Sequence, residues 1–415
     1  MSTAQQRPSS SPSGTATATG RLLAALARAL PDRPFEIELW DGRVLPSTSG
    51  SGPRFTARAP EALAYVLRNP GQLGLGRAYV SGLLEVDDID QVMGLVDHWK
   101  PGPIAPADRA RLLLAAVAAG GIAAPPPPAA ELKPQGRRHT KDRDERGVRH
   151  HYDVSNEFFA TFLDASMTYS CAIFSQGART LEEAQEAKRD LICRKLDLQP
   201  GDRLLDVGCG WGAFAAHAAQ RYGARVTGIT LSPPQAEGAR ARAAEAGVAD
   251  LVDIRVLDYR DLAGEQFDKV ASIGMVEHVG TEQIDRYGAQ LASLLKPGGI
   301  LLNHGIARLR HSDKPAGAFS ERYVFPDGEP LQLSVVLLAL ERAGLITRHV
   351  EDFQDDYAET LRHWAERFDA RLDDATRIAG AERVRVWRLY LRAARNGFLN
   401  DFTSIYQVRA HKPAA

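Results

Sequence analysis

Cysteine is scarce in this chain: Cys171, Cys193 and Cys209 are all it has. Three thiols at these spacings form neither a disulfide framework nor a zinc-ligand pattern. The shortage points to a reducing, cytoplasmic setting. An excess of one charge is missing too. Lys and Arg number 51 against 52 Asp and Glu, a formal net charge of −1, which argues against a generic nucleic-acid binder while leaving room for local basic patches. The longest apolar stretch, Leu112 to Ala124, runs into four prolines and is too short to span a bilayer. The start, MSTAQQRPSSSPSGTATATG, lacks the apolar core of a signal peptide. Any membrane contact is therefore expected to be peripheral, at the inner face.

What is present is enough for two domains. Residues 1–19, rich in Ser, Thr, Pro and Gly, read as a disordered tail. Residues 20–120 mix helices with short strand-like pieces such as FEIELW and PRFTARA, an α+β pattern. Residues 121–148 read as a linker, first Pro-rich (AAPPPPAAELKPQG) and then basic (RRHTKDRDERGVRHH). Residues 149–415 form a second domain. From about 185, helices alternate with the strands RLLDVGCG, RVTGITL, VDIRVLD, FDKVASIG and ILLNHGIA. That alternation predicts an α/β, doubly wound, mostly parallel sheet with helices on both faces.

The first of those strands runs into Gly208, Gly210 and Gly212, spaced two apart after Asp206. Glycine costs conformational entropy, so the cluster is either a plain tight turn or a place where backbone passes close to a ligand. In an open parallel sheet this end of the strand is where ligands bind. A dinucleotide loop would read G-x-G-x-x-G, whereas D-x-G-x-G-x-G resembles the S-adenosylmethionine (SAM) loop of Rossmann-like methyltransferases. Chemistry extends the site. Thr230, the backbone at Leu231 and Gln235 lie at the end of the second strand. At the end of the third, Asp258 is placed to accept from an adenine amino group, with Tyr259 along the ring. An acidic residue usually holds the ribose at the end of the second strand; here that place reads Thr-Leu-Ser.

The stretches VTGITLSPPQ, SIGMVEHVG, RHHYDVSNEFF, MTYSCAIF and YVFPDGE resemble the cyclopropane-fatty-acyl-phospholipid synthase family, from about 145 to 410. LGLGRAYVSGLLEVDDID resembles the small lipid-carrier-like domain that precedes the methyltransferase in full-length bacterial members. The resemblance implies methyl transfer from SAM to a carbon–carbon double bond in an acyl chain of a membrane phospholipid. Tyr169 and Ser170 would join the cofactor site. A bound bicarbonate would act as base, held by the Cys171 backbone region, Glu277, His304 with the Ile306 backbone, and Tyr357, with His151 completing the shell. The grouping suits an anion, since hydroxyl, imidazole and backbone N–H groups donate and Glu277 would accept the proton of bicarbonate.

Two features qualify that picture. Where some family members carry a late cysteine, YLRAARNGF has alanines. Arg385, Arg388, Arg392 and Arg395 fall at helical spacing on one face, read either as a solvated surface or as a site for anionic phospholipid. Two products are compatible with the base shell: a cyclopropane, or a 10-methylene chain of the tuberculostearic type, reduced by a separate reductase. The C-terminal motifs look most like the second. Small-amine N-methylation and a non-catalytic SAM- or lipid-binding role are the readings from other classes. A homodimer is expected to be possible, and no metal.

Overall fold

A computed structural model describes residues 12–120, 125–132, 140, 141, 143, 146, 155–309 and 317–414. The chain divides into two compact units, residues 1–131 and 132–415.

The first unit is α+β. A four-stranded sheet has the order β2–β1–β3–β4, with β1 (Glu36–Glu38), β2 (Val44–Leu45), β3 (Arg54–Ala57) and β4 (Leu84–Val86). Helices α1 (Pro12–Ala29), α2 (Glu61–Arg68), α3 (Gln72–Val80), α4 (Ile89–His98) and α5 (Pro106–Ala118) accompany it. Ala18, Leu22, Leu26, Leu39, Ala57 and Tyr65 form its core. One expectation is corrected here. The tail read over 1–19 is helical from Pro12, because Ala18 and Thr19 are buried and Thr19 donates to Asp41 at 2.5 Å. The division between the units, after Glu131, falls inside the stretch read as linker, whose Pro-rich part is fastened to the first unit. Tyr65 donates to the Pro126 carbonyl at 2.6 Å, and Arg77 grips Glu131 with both nitrogens at 2.7 Å.

The second unit holds a seven-stranded sheet of order β10–β11–β9–β8–β5–β6–β7. Strands β5 (Arg203–Val207), β6 (Arg225–Thr230), β7 (Val252–Val256), β8 (Phe267–Ile273) and β9 (Leu295–Arg308) pair in parallel. Beyond them lie β10 (Ile346–Asp352) and β11 (Thr403–His411), and β11 runs antiparallel to both of its neighbours, β9 and β10. The order reverses between β5 and β8, which opens a crevice at their carboxyl ends. The helices are α6 (Asn156–Phe159), α7 (Leu181–Lys195), α8 (Ala213–Tyr222), α9 (Pro233–Glu245), α10 (Ile284–Leu294), α11 (Ala318–Tyr323), α12 (Leu333–Arg342), α13 (Gln354–Asp369), α14 (Leu372–Ala379) and α15 (Ala381–Leu399).

Local signals explain the elements nearest the crevice. Strands β5 and β8 bury Leu204, Leu205, Val207, Val270 and Ala271, the apolar content that parallel strands covered on both faces require. Helix α7 opens with a capping box between Thr180 and Glu183. Pro233 follows the Ser232 cap of α9, where a missing N–H does no harm. The residues Lys296–Gly299 (KPGG) lie inside β9, which begins at Leu295.

Candidate functional site

Gly208, Gly210 and Gly212 all adopt positive φ, at 77°, 52° and 77°, which explains why three side chains are surrendered in five residues. Their spatial roles differ. A Cβ on Gly212 would meet the Cβ and Cα of Ala239 at 2.8 and 2.9 Å, so this glycine lets α8 pack on α9. A Cβ on Gly210 would meet nothing within 4 Å, because Gly210 faces an open cleft. That cleft is lined by Tyr169, Ser170, Asp206, Gly208, Gly210, Thr230, Leu231, Gln235, Asp258 and Tyr259. Of the residues expected to bind the cofactor, Gly212 alone stands back from it, as the N-cap of α8.

Electrostatics give the cleft two ends. At one, Asp206 is buried, and its Oδ2 has no hydrogen-bond partner among the described residues. Burial pushes its carboxyl up to about 7, with Lys188 opposing the rise. An orphaned acceptor of this kind suits an ammonium group, such as SAM carries on its methionyl end. Lys188 is itself buried. Its Nζ donates to Ser170 Oγ at 2.7 Å, and burial, then the neighbouring Arg189, pull it down to about 7. At the other end, Asp258 is clasped by Arg260, at 2.9 Å from Nε and 2.6 Å from the terminal nitrogen. An adenine amino group would therefore share that carboxylate with a guanidinium. Thr230 and Gln235 bond to each other at 2.7 Å.

The base residues occupy a connected neighbourhood. The Cys171 thiol lies 3.2 Å from the Ala172 carbonyl and 3.9 Å from the Phe353 carbonyl. The Tyr357 amide donates to the Phe353 carbonyl at 3.0 Å. The Phe353 ring lies nearly parallel to the His304 imidazole, with centroids 6.5 Å apart. Two residues beyond His304, the Ile306 amide works against the rise of the Glu277 carboxyl. Gly305 lies between them, and a Cβ there would come within 2.2 Å of Val276 Cγ1 and 3.3 Å of Glu277 Oε2. This is why the motif reads His-Gly-Ile. Cys171 and His304 are fully buried and Tyr357 nearly so. Burial pushes Glu277 up to about 7, holds the Cys171 thiol well above its usual range and drives His304 well below its own. Glu277 Oε2 and His304 Nε2 are both buried without a partner among the described residues. An acceptor and a ring nitrogen left open in this way fit a small protonated anion. His151 lies outside the described residues.

The sequence reading passed over several residues. Lys188 lies on the inward stripe of α7 with Leu181, Ala184, Leu191 and Ile192, and a lysine on an apolar stripe was the available signal. Met275, His278 and Arg260 also line the cleft. His278 is held neutral by burial, down to about 4. Asn156 accepts from the Trp211 indole at 2.7 Å, which links the VSNEFF motif to the glycine loop. On α15, Arg388 and Arg392 both bond to Asp369, and Arg392 is buried, so Arg392 points into the unit. In the basic stretch, Arg143 pairs with Asp327 and Lys141 with Asp261.

The family model described as mycolic acid cyclopropane synthetase matches residues 139–408. A probable fatty acid methyltransferase of Mycobacterium tuberculosis is 40% identical over 417 residues, covering 95% of this chain and 96% of the relative. The tuberculostearic acid methyltransferase of the same organism is 32% identical over 92% of this chain and 88% of its own length. Among solved structures, mycolic acid cyclopropane synthase CmaA1 complexed with SAH and CTAB is 32% identical, with a TM-score of 0.62 over 65% of this chain and 98% of that one. With the glycine loop, the cleft and most of the second unit inside the matched span, the chain belongs to the cyclopropane synthase family of SAM-dependent methyltransferases.

Proposed function

We propose that the protein methylates the double bond of an unsaturated, oleoyl-type acyl chain in a membrane phospholipid and delivers a 10-methylene chain, for a separate reductase to consume. The observation that carries the reading is Glu277, a buried carboxylate with one oxygen open, next to a cleft that takes SAM. N-methylation of a small amine makes no demand for such a group. The near full-length similarity to a tuberculostearic acid methyltransferase supports the methylene product. The family model's description favours a second reading, a cyclopropane.

An alkene is a poor nucleophile, so the chain's first task is to hold it in line with the sulfonium methyl. The methyl bonds to one alkene carbon as its bond to sulfur breaks, leaving SAH and a cation on the neighbouring carbon. The cation must then lose a proton. Glu277 places negative charge beside it, in surroundings where water is excluded and charge acts strongly. Bicarbonate bound between Glu277, His304, Tyr357 and the Cys171 and Ile306 backbones would supply the base. Direct loss from the transferred methyl closes a ring; a prior hydride shift gives the exomethylene.

Purified protein is incubated with methyl-labelled SAM and vesicles of dioleoyl phosphatidylglycerol. The acyl methyl esters are then analysed by mass spectrometry before and after ozone treatment. A labelled product that ozone cleaves at the branch is expected. A ring that survives ozone as the sole product overturns the methylene assignment. Label in added amines but not in lipid overturns the substrate class.

A further inference from the structure

His304, fully buried, stands at one end of a chain of polar side chains. Strand β11 lies antiparallel to β9 with Gln407 opposite His304, so the two side chains share a face of the sheet. A nitrogen of the Gln407 amide sits 3.0 Å from His304 Nδ1. The amide oxygen sits 2.7 Å from Lys195 Nζ. Lys195 also bonds to Glu351, and its ammonium rests 5.0 Å from the centre of the Phe353 ring.

Each link permits one orientation. A lysine ammonium has hydrogens to give and no lone pair to offer. The amide group facing it must therefore be the oxygen, which turns the Gln407 NH₂ toward His304. An NH₂ group only donates, so Nδ1 must accept and be bare. The remaining proton of a neutral imidazole then sits on Nε2. Burial, with the positive charges of Lys188 and Lys195, keeps the ring neutral. Nε2 is the atom that has no partner among the described residues, and a buried N–H left unpaired costs about 1–3 kcal/mol.

We propose that Gln407 and Lys195 are positioning residues that lock His304 as the Nε2–H tautomer, so that it donates, and cannot accept, toward the oxygen of a bound oxyanion. This deepens the base-pocket reading above and rests on it. A donor at this place holds the anion through an oxygen lone pair and leaves its proton for Glu277. The opposite tautomer would set two lone pairs against each other.

The full-length protein labelled with ¹⁵N-histidine tests this without any turnover. Long-range ¹H–¹⁵N spectra report which ring nitrogen is bare, and comparison with His304→Gln identifies the signal among the 11 histidines. The expected result is a bare Nδ1 and a protonated Nε2 on His304. In Gln407→Glu the carboxylate can only accept from the ring, so Nδ1 should become protonated while the Lys195 contact is kept. In Lys195→Met the amide is free to turn, and the single tautomer should give way to a mixture. A protonated Nδ1 in the unaltered protein, or no change in either variant, overturns the lock. Turnover is scored separately. Gln407→Met should lower kcat at least tenfold with the KM for SAM within about twofold, and retained SAM affinity shows that it folds. If His304→Gln turns over lipid at the unaltered rate, the base-pocket reading falls, whatever the spectra show about the tautomer.

Discussion

Gly210 and Gly212 are two residues apart in one motif, yet they should fail in different ways when given a methyl group. Both sit in the left-handed region, at φ 52° and 77°. Alanine there costs about 1–2 kcal/mol. The stabilisation that comes from stiffening the unfolded chain is common to both and cancels in the comparison. What differs is space. At Gly212 the new Cβ would lie 2.8 Å from the Ala239 Cβ and 2.9 Å from its Cα, and backbone atoms of a packed helix do not yield cheaply. Overpacking of this kind adds about 1–3 kcal/mol, for a total of about 2–5 kcal/mol. At Gly210 the space is open, so the strain stands alone, but the methyl group enters the cleft. Urea unfolding of the two alanine variants, with SAM titrations by calorimetry, separates the effects. Gly212→Ala should unfold at clearly lower urea than Gly210→Ala. Gly210→Val should weaken SAM more than tenfold, about 1.4 kcal/mol, while unfolding close to Gly210→Ala. Equal melts for the two alanine variants, or unchanged SAM affinity in Gly210→Val, would refute the division of labour within the loop.

Glu277→Gln should retain SAM affinity and lose at least 100-fold in turnover, the scale seen when a stabilising group is removed from an active site. The same variant has a pH signature in the ligand-free protein. The Glu277 carboxyl rises from an ordinary 4.5 to about 7 on burial, so between those values the folded state holds a proton that the unfolded state has released. Folded stability therefore falls as pH rises through that window. Relative to the unaltered protein, Glu277→Gln should gain stability from pH 4.5 to 7 and then plateau, by at most about 3 kcal/mol; a difference that stays flat across the window would contradict it. Arg392→Gln should lower stability by about 1–3 kcal/mol, because it breaks a charged hydrogen bond to Asp369. Its binding to anionic vesicles should stay unchanged, and a loss of vesicle binding at unchanged stability would restore the headgroup role for that face.

Sequence periodicity is local, and it read well wherever the structure is decided locally. The β5–β9 strands and the helices between them follow from apolar runs, caps and turns a few residues apart. It read poorly where a distant partner decides. The repeats around Thr17 carry no helical signal of their own, and the helix they belong to is held by Thr19 reaching Asp41. The Pro-rich stretch reads as a spacer, and only the fold shows Tyr65 and Arg77 fastening it to the first unit. Arg392 reads as one of an outward stripe on α15 because its partner Asp369 lies on another helix, 23 residues before it.

The site divides along the same line. Residues that surround the cleft were legible because each belongs to a motif at the end of a strand, and the sheet itself delivers strand ends to one place. The residues that tune it were not. Lys188 could be suspected from the stripe it interrupts, but its partners Ser170 and Asp206 come from a loop and a different strand. Gln407 carries no signal at all, since a glutamine in an alternating strand usually faces solvent. It reaches His304 through the register between β9 and β11, which a shift of one residue would reverse. Chemistry-bearing atoms can thus be recognised from their own neighbours in sequence. Their protonation is set across the sheet, by groups that only the fold brings within hydrogen-bonding distance.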